Sequence, residues 1–232
     1  LHRESWNAQF SEFAASHQVI RWDRRGYGRS ESATAPFRHF QDLLALMDAL
    51  EIERASLVGC SFGSLVTVEF ALEHPERVSS LVLVGPIVSG LGFSEHFRAR
   101  GGRGYPDEDA SLEEKIEYWT VTDPWTMAPQ STAAREAMRK LMVANPQNLS
   151  GSGAFARWPG FTTIERLSEI EVPTLIVVGE ADIPDVHAHA GVIHAGIEGS
   201  TRVVLTNGGH LVHLEVPGAF NRVVLDFLET VE

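Results

Sequence analysis

Apolar and β-branched residues cluster in five runs of strand length: QVIRW (18–22), RASLVG (54–59), SSLVLVG (79–85), PTLIVVG (173–179) and TRVVLT (201–206). Each run is continuous rather than alternating, as in strands covered on both faces, so five strands of a mostly parallel sheet are expected. Between the runs the period lengthens to that of a helix. After Pro36, which suits a first helical turn, Phe40, Leu43, Leu44, Met47 and Leu50 share one face. After Pro217, Phe220, Val223, Val224, Phe227, Leu228 and Val231 form a longer stripe that closes the chain. Strands alternating with helices predict an α/β fold, a doubly wound sheet with helices on both faces.

The alternation breaks between residues 90 and about 165, where no strand-like run occurs. RARGGRGYPDEDA and NPQNLSGSGAF have loop compositions, while SLEEKIEYWT and STAAREAMRKLMVA read as helices. The core is therefore expected to comprise residues 1–90 and 166–232, with a helical cap insert over 91–165. Trp119, Trp125 and Trp158 lie in that insert with Met127, Met138 and Met142. Two readings stay open. The cap walls an apolar pocket above the sheet edge, with Trp119 and Trp125 against the substrate, or these residues pack the insert's own small core.

Charge and cysteine content narrow the setting. A formal net charge of −12 and the lack of a long basic stretch exclude nucleic-acid and anionic-membrane partners from the expectation. The partners expected are a small-molecule substrate and, at most, further copies of the same chain. A single cysteine, Cys60, rules out an internal disulfide and fits a reducing, cytoplasmic location. No run is long enough to cross a bilayer, and LHRESWNAQF lacks the charged-then-apolar layout of a signal sequence.

The candidate chemistry sits at the ends of the strands. Gly59-Cys60-Ser61-Phe62-Gly63 follows one strand and opens SLVTVEFALEHP, a helix ended by Pro75. This is the G-x-S-x-G pattern of a nucleophile held on a sharp strand-to-helix turn. Both glycines are expected where backbone meets backbone and a Cβ has no room. The helix directs its positive end at the turn, so the Phe62 N–H is the expected oxyanion donor. A serine hydroxyl needs a base, and the base needs an orienting acid. PTLIVVG ends in GEADIPD and TRVVLT ends in NGGH, and in a parallel sheet such ends share one rim. Asp182 is preferred to Glu180, which is too close to its strand, and to Asp185, which after Pro184 suits a helix cap. His210 is preferred among ten histidines for its two preceding glycines.

Other candidates carry less. Cys60 occupies an inward position of the turn and is expected to be buried and inert. His187, His189 and His194 do not share one helical face and have no accompanying acid, so no metal and no cofactor are expected. Asp23, Arg24, Arg25 and Arg29 are expected to tie their loop together by ion pairs; binding of an anionic substrate is the lesser reading.

With these residues in view, the chain resembles the α/β-hydrolase fold family from about Trp6 to its C-terminus, the insert apart. VIRWDRRGYGRS resembles the family's D-x-R-G-x-G-x-S stretch, GCSFGS its elbow, HPERVSSLVLVGP the strand beyond it, VVGEADIPD its acid loop and GGHLVHLEVPGAFNRVVLDFL its histidine loop and closing helix. The chain order Ser, Asp, His is the one such enzymes use. The resemblance implies a serine hydrolase of a small, mainly apolar ester, lactone or thioester. It also implies the alternatives of a meta-cleavage carbon–carbon hydrolase, a cofactor-free perhydrolase, or a non-catalytic ligand-binding relative. Relatives of this kind have a strand and a His-Gly loop ahead of ESWNAQF, supplying the second oxyanion donor. The expectation is accordingly an N-terminally truncated chain lacking the first strands; re-paired strands are the other outcome, because a missing central strand leaves rows of backbone groups unsatisfied.

Overall fold

The computed structural model describes residues 1–100, 110–123, 127–146 and 155–231. Four strands form one wholly parallel sheet in chain order: β1 (Ala55–Cys60), β2 (Val78–Val84), β3 (Thr174–Gly179) and β4 (Thr201–Leu205). The helices are α1 (Asn7–Phe13), α2 (His39–Ala49), α3 (Phe62–Glu73), α4 (Glu95–Arg100), α5 (Leu112–Glu117), α6 (Thr132–Ala144), α7 (Pro184–Gly196), α8 (Val212–Glu215) and α9 (Pro217–Val231). One face of the sheet, through Leu57, Leu81, Leu83, Ile176 and Val178, packs on Phe40, Leu43 and Met47 of α2, Val68 and Phe70 of α3 and Ile193 of α7. The other, through Val82, Val84, Leu175 and Val177, packs on Phe13 of α1 and Phe220, Val224 and Leu228 of α9. Continuous apolar strands thus serve two cores, as a doubly wound sheet requires.

Four expectations need correction. Residues 18–22 do not form a strand: the run has no ladder partner among the described residues, and β1 lies at the edge of the sheet. Val19 packs into one core and Trp22 into the other, so side-chain burial holds the run in place without the strand spacing of about 4.8 Å that ladder bonds need. Pro36 is not in the first turn of α2. Phe37 forms an isolated parallel bridge with Ala156, with Phe37 N–H donating to Phe155 O and Arg157 N–H to Phe37 O, and the helix begins only at His39. Leu50, expected on the buried stripe, follows the last turn of α2 and is 48% exposed. At the other edge, β4 is covered less fully than its sequence suggested, with Val204 exposed.

Between 90 and 165 the regular elements among the described residues are helices, apart from the bridge at Ala156. Ser111 caps α5 in a reciprocal box with Glu114, residues 118–122 continue it as a π-helix, and Ser131 caps α6. Ile116, Met138 and Met142 form a small core completed by Leu211, with Trp119 and Met127 against it. The insert's own core is therefore shared with the segment that carries His210.

α3 also buries an acid. Glu69 is 3% exposed, its Oε1 has no hydrogen-bond partner among the described residues, and burial raises its carboxyl to about 7, with Arg38 opposing and Glu73 adding to the shift. Its folded value lies above the unfolded one. Stability is therefore expected to fall as pH rises from about 4.5 to 7 and to level off above. Glu69→Gln is expected to abolish that fall and to add about 2 kcal/mol at pH 8, roughly 5 °C in Tm. Urea melts of both proteins at pH 5 and pH 8 check it: equal gains at the two pH values contradict the assignment.

Candidate active site

β1 runs straight into α3 through Ser61, whose φ of 54° and ψ of −117° are unusual for a residue with a side chain. The turn is fixed from outside by the Ser61 N–H, which donates to Val84 O at the end of β2 over 2.8 Å. It is fixed from inside by Ser64, whose hydroxyl donates to Ser61 O and accepts from the Ile87 N–H. The two glycines of the motif prove unequal. A Cβ on Gly59 would stand 2.4 Å from Gly63 O and 2.7 Å from Ser64 N, whereas one on Gly63 would meet nothing within 4 Å. The crossing of strand and helix therefore demands a glycine at 59 alone. Phe62 is the first residue of α3, so its N–H has no acceptor within the helix and faces outward with the positive end of the dipole.

Beyond β3 and β4 two loops run against each other. Glu180 N–H donates to Leu205 O and Ala181 N–H to Gly208 O, and a Cβ on Gly179 would stand 2.2 Å from Gly209 O. This contact presents Asp182 to His210. Asp182 Oδ2 lies 3.0 Å from His210 Nδ1, and its Oδ1 accepts from the Ile183 N–H. The carboxylate is fully buried. An acceptor-only carboxylate places the proton on Nδ1 and leaves Nε2 free to act as a base. Burial alone would lower the imidazole pKa; the charge and hydrogen bond of Asp182, with Glu215 behind them, outweigh it and hold His210 above its ordinary value.

The end of β2 joins these parts. Val84 receives the Ser61 N–H, and the next residue, Gly85 (φ 46°), lies under the pair: its Cβ would stand 3.0 Å from His210 Nδ1 and 3.2 Å from Asp182 Oδ2. Cys60 Sγ lies 3.9 Å from His210 O on the other side of the hydroxyl's own residue. Asp182 and His210 are thus in direct contact above Gly85, and Ser61 is tied through Val84 to the same end of β2.

The remaining sequence candidates separate. Cys60 packs between two cores, and burial pushes its thiol up to about 12, so it is not a thiolate at neutral pH. Asp185 stands in the first turn of α7 but takes both the Ser94 N–H and hydroxyl rather than capping its own helix. His187 pairs with Arg202, His189 Nδ1 accepts from the Val88 N–H, and His194 pairs with Ser200, three separate environments. Asp23 takes the backbone N–H of Arg3 and of Arg29, and Arg25 forms a two-pronged pair with Asp42, as a structural loop requires. Arg24 departs from that scheme and lies over the Phe62 ring. Trp119 is half-buried against Tyr118, and Trp125 lies outside the described residues.

Sequence reasoning missed two contributors. Gly85 gave only a Gly-Pro signal that reads as a strand terminator. Glu215 accepts the Gly209 N–H at 2.7 Å and the Gln130 N–H at 3.0 Å, tying the histidine loop to the segment before α6. Nothing local to HLEVP marks that double contact, since its partners are 6 and 85 residues away.

Comparison with known proteins agrees with this geometry. Residues 1–223 match the model of the Alpha/beta hydrolase family. The chain is 30% identical over 230 residues to 2-hydroxy-6-oxo-6-phenylhexa-2,4-dienoate hydrolase of Comamonas testosteroni, covering 92% of this chain and 78% of that one. It is 27% identical over 218 residues to the human serine hydrolase BPHL, covering 91% and 69%. Among solved structures it is similar to Est816, an N-acyl homoserine lactone degrading enzyme, with a TM-score of 0.76, 26% identity and coverage of 97% and 88%.

Proposed function

The chain belongs to the alpha/beta hydrolase family, and from that premise we propose that it cleaves a small, mainly apolar carboxylic ester, lactone or thioester through an acyl-enzyme on Ser61. The observation that carries the reading is the 3.0 Å Asp182–His210 contact on the rim that also bears the strained Ser61 turn. In the first half-reaction Ser61 Oγ bonds to the carbonyl carbon while His210 Nε2 takes its proton, and the carbonyl electron pair collects on an oxygen facing the Phe62 N–H. The bond to the leaving alcohol, or thiol, then breaks as His210 returns the proton to it. In the second half, water adds to the acyl carbon with His210 as base, and Ser61 leaves reprotonated. Asp182 holds the ring in the tautomer both halves need.

A fluorophosphonate probe tests the reading. One probe per chain is expected on the parent and none on Ser61→Ala, with ester turnover falling about 10⁴-fold or more. A well-folded parent that takes no probe defeats it in favour of a non-catalytic ligand-binding relative. The likeness to the Comamonas enzyme favours a second reading, carbon–carbon hydrolysis of a vinylogous diketone. Comparing an aryl ester, an enol-lactone and such a diketone as substrates decides between them.

A further inference from the structure

The loop over residues 23–30 contains four cations or anions in the run Asp23-Arg24-Arg25 and Arg29. The loop's one acid, Asp23, and Asp42 of α2 are already engaged. Asp23 receives the Arg3 and Arg29 backbone N–H groups and pairs with the Arg3 guanidinium, and Asp42 is committed to Arg25. Arg24 has no carboxylate partner among the described residues. Its guanidinium carbon lies 4.3 Å from the centre of the Tyr27 ring and 4.5 Å from that of Phe62. Burial lowers its pKa; Tyr27, which also hydrogen-bonds the Arg24 side chain, opposes the shift without supplying a carboxylate.

The location is as informative as the missing partner. Phe62 follows Ser61 directly, and the same ring is met edge-on by His39 at 5.1 Å and by Trp158 at 5.5 Å. Phe37 stands edge-on to His39 at 4.8 Å. The His39 imidazole is held neutral, at about 4, by burial and then by the charge of Arg24. A positive, planar fork therefore lies over the ring of the residue next to the proposed nucleophile, a ring whose other neighbours are aromatic edges. Rings offset part of the desolvation of such a group, but its donors match a carboxylate in pairs, which no ring does.

We propose that Arg24 recognises a carboxylate on the substrate, so that the compound hydrolysed at Ser61 is an ester or lactone bearing an anionic group a short chain away from its scissile carbonyl. The proposal rests on the hydrolase reading for the word hydrolysed, but not for the anion site itself.

Binding and catalysis test the two separately. In Ser61→Ala protein, monomethyl glutarate is expected to bind at least about tenfold more tightly than methyl butyrate by titration calorimetry, and high salt is expected to weaken only the former. Adding Arg24→Gln is expected to erase the difference, while Arg24→Lys, which keeps the charge and guards against a folding artefact, retains part of it. Hemiester binding that is absent, or that Arg24→Gln leaves unchanged, overturns the anion site. So does equal weakening of both ligands, which marks Arg24 as structural. The fluorophosphonate probe on Arg24-intact and Arg24→Gln protein reports on Ser61 independently: a site that binds the hemiester through Arg24 yet takes no probe leaves this proposal standing and removes the hydrolase reading.

Discussion

Asp182→Asn is expected to fold as the parent does and to lose about 10³- to 10⁴-fold in kcat on an activated ester. Asp182 makes two contacts that the amide treats differently. Its Oδ1 accepts the Ile183 N–H, which an amide oxygen also does, so the loop stays in place. Its Oδ2 accepts from His210 Nδ1, which an NH₂ group cannot do. The ring must then turn its bare nitrogen to residue 182 and its N–H toward Ser61, the wrong tautomer for a base. The pH profile provides the control. Activity of the parent falls as His210 takes up a proton, at a pH above the ordinary imidazole value because Asp182 outweighs the effect of burial. In Asp182→Asn burial acts without its opponent, so the residual activity is expected to persist to lower pH. A variant with unchanged kcat, or one whose acid limb moves upward, contradicts the assigned pair.

Gly59→Val is expected to remove about 3 kcal/mol or more of stability, or to prevent folding. A Cβ at 59 would press on the carbonyl of Gly63 and the nitrogen of Ser64, backbone atoms that cannot rotate away, and branching adds two more methyl groups at the same point. Gly63→Ala is the matched comparison and is expected to fold with little change, since nothing lies within 4 Å of its Cβ. Denaturant melts of the two variants distinguish the steric account from a general need for flexibility around Ser61: equal losses at both positions favour flexibility. The same elbow serves chemistry and folding, because the crossing of β1 and α3 is what lifts Ser61 out of the sheet.

Much of this was legible in the chain. Continuous apolar runs marked β1 to β4 to within about a residue, most simply for β2 and β3, which are buried on both faces and show no polar alternation. The helical stripes marked α2 and α9, and the helices SLEEKIEYWT and STAAREAMRKLMVA stood out between the loop compositions that frame them. Ser61, Asp182 and His210 could be picked out because each follows a strand end, and strand ends of a parallel sheet share a rim wherever they fall in the sequence. The run at 18–22 was misread because apolarity reports burial, and a segment can bury Val19 and Trp22 in two cores without joining a ladder. Pro36 misled for a related reason: proline permits a helix start, but the contact between Phe37 and Ala156, far apart in the chain, set it later.

What the sequence determined by itself is therefore whatever is local: the strand and helix periods and the tight turn around Ser61. Only the folded chain decided which glycine of the motif lacks room, that Gly85 lies under the histidine–aspartate pair, that Glu215 fastens the histidine loop to Gln130, and that Arg24 has no carboxylate partner among the described residues while Asp23 and Arg25 are paired. Those depend on distances between segments brought together by the sheet, and a pattern of residue types carries no record of which of several like charges will be nearest.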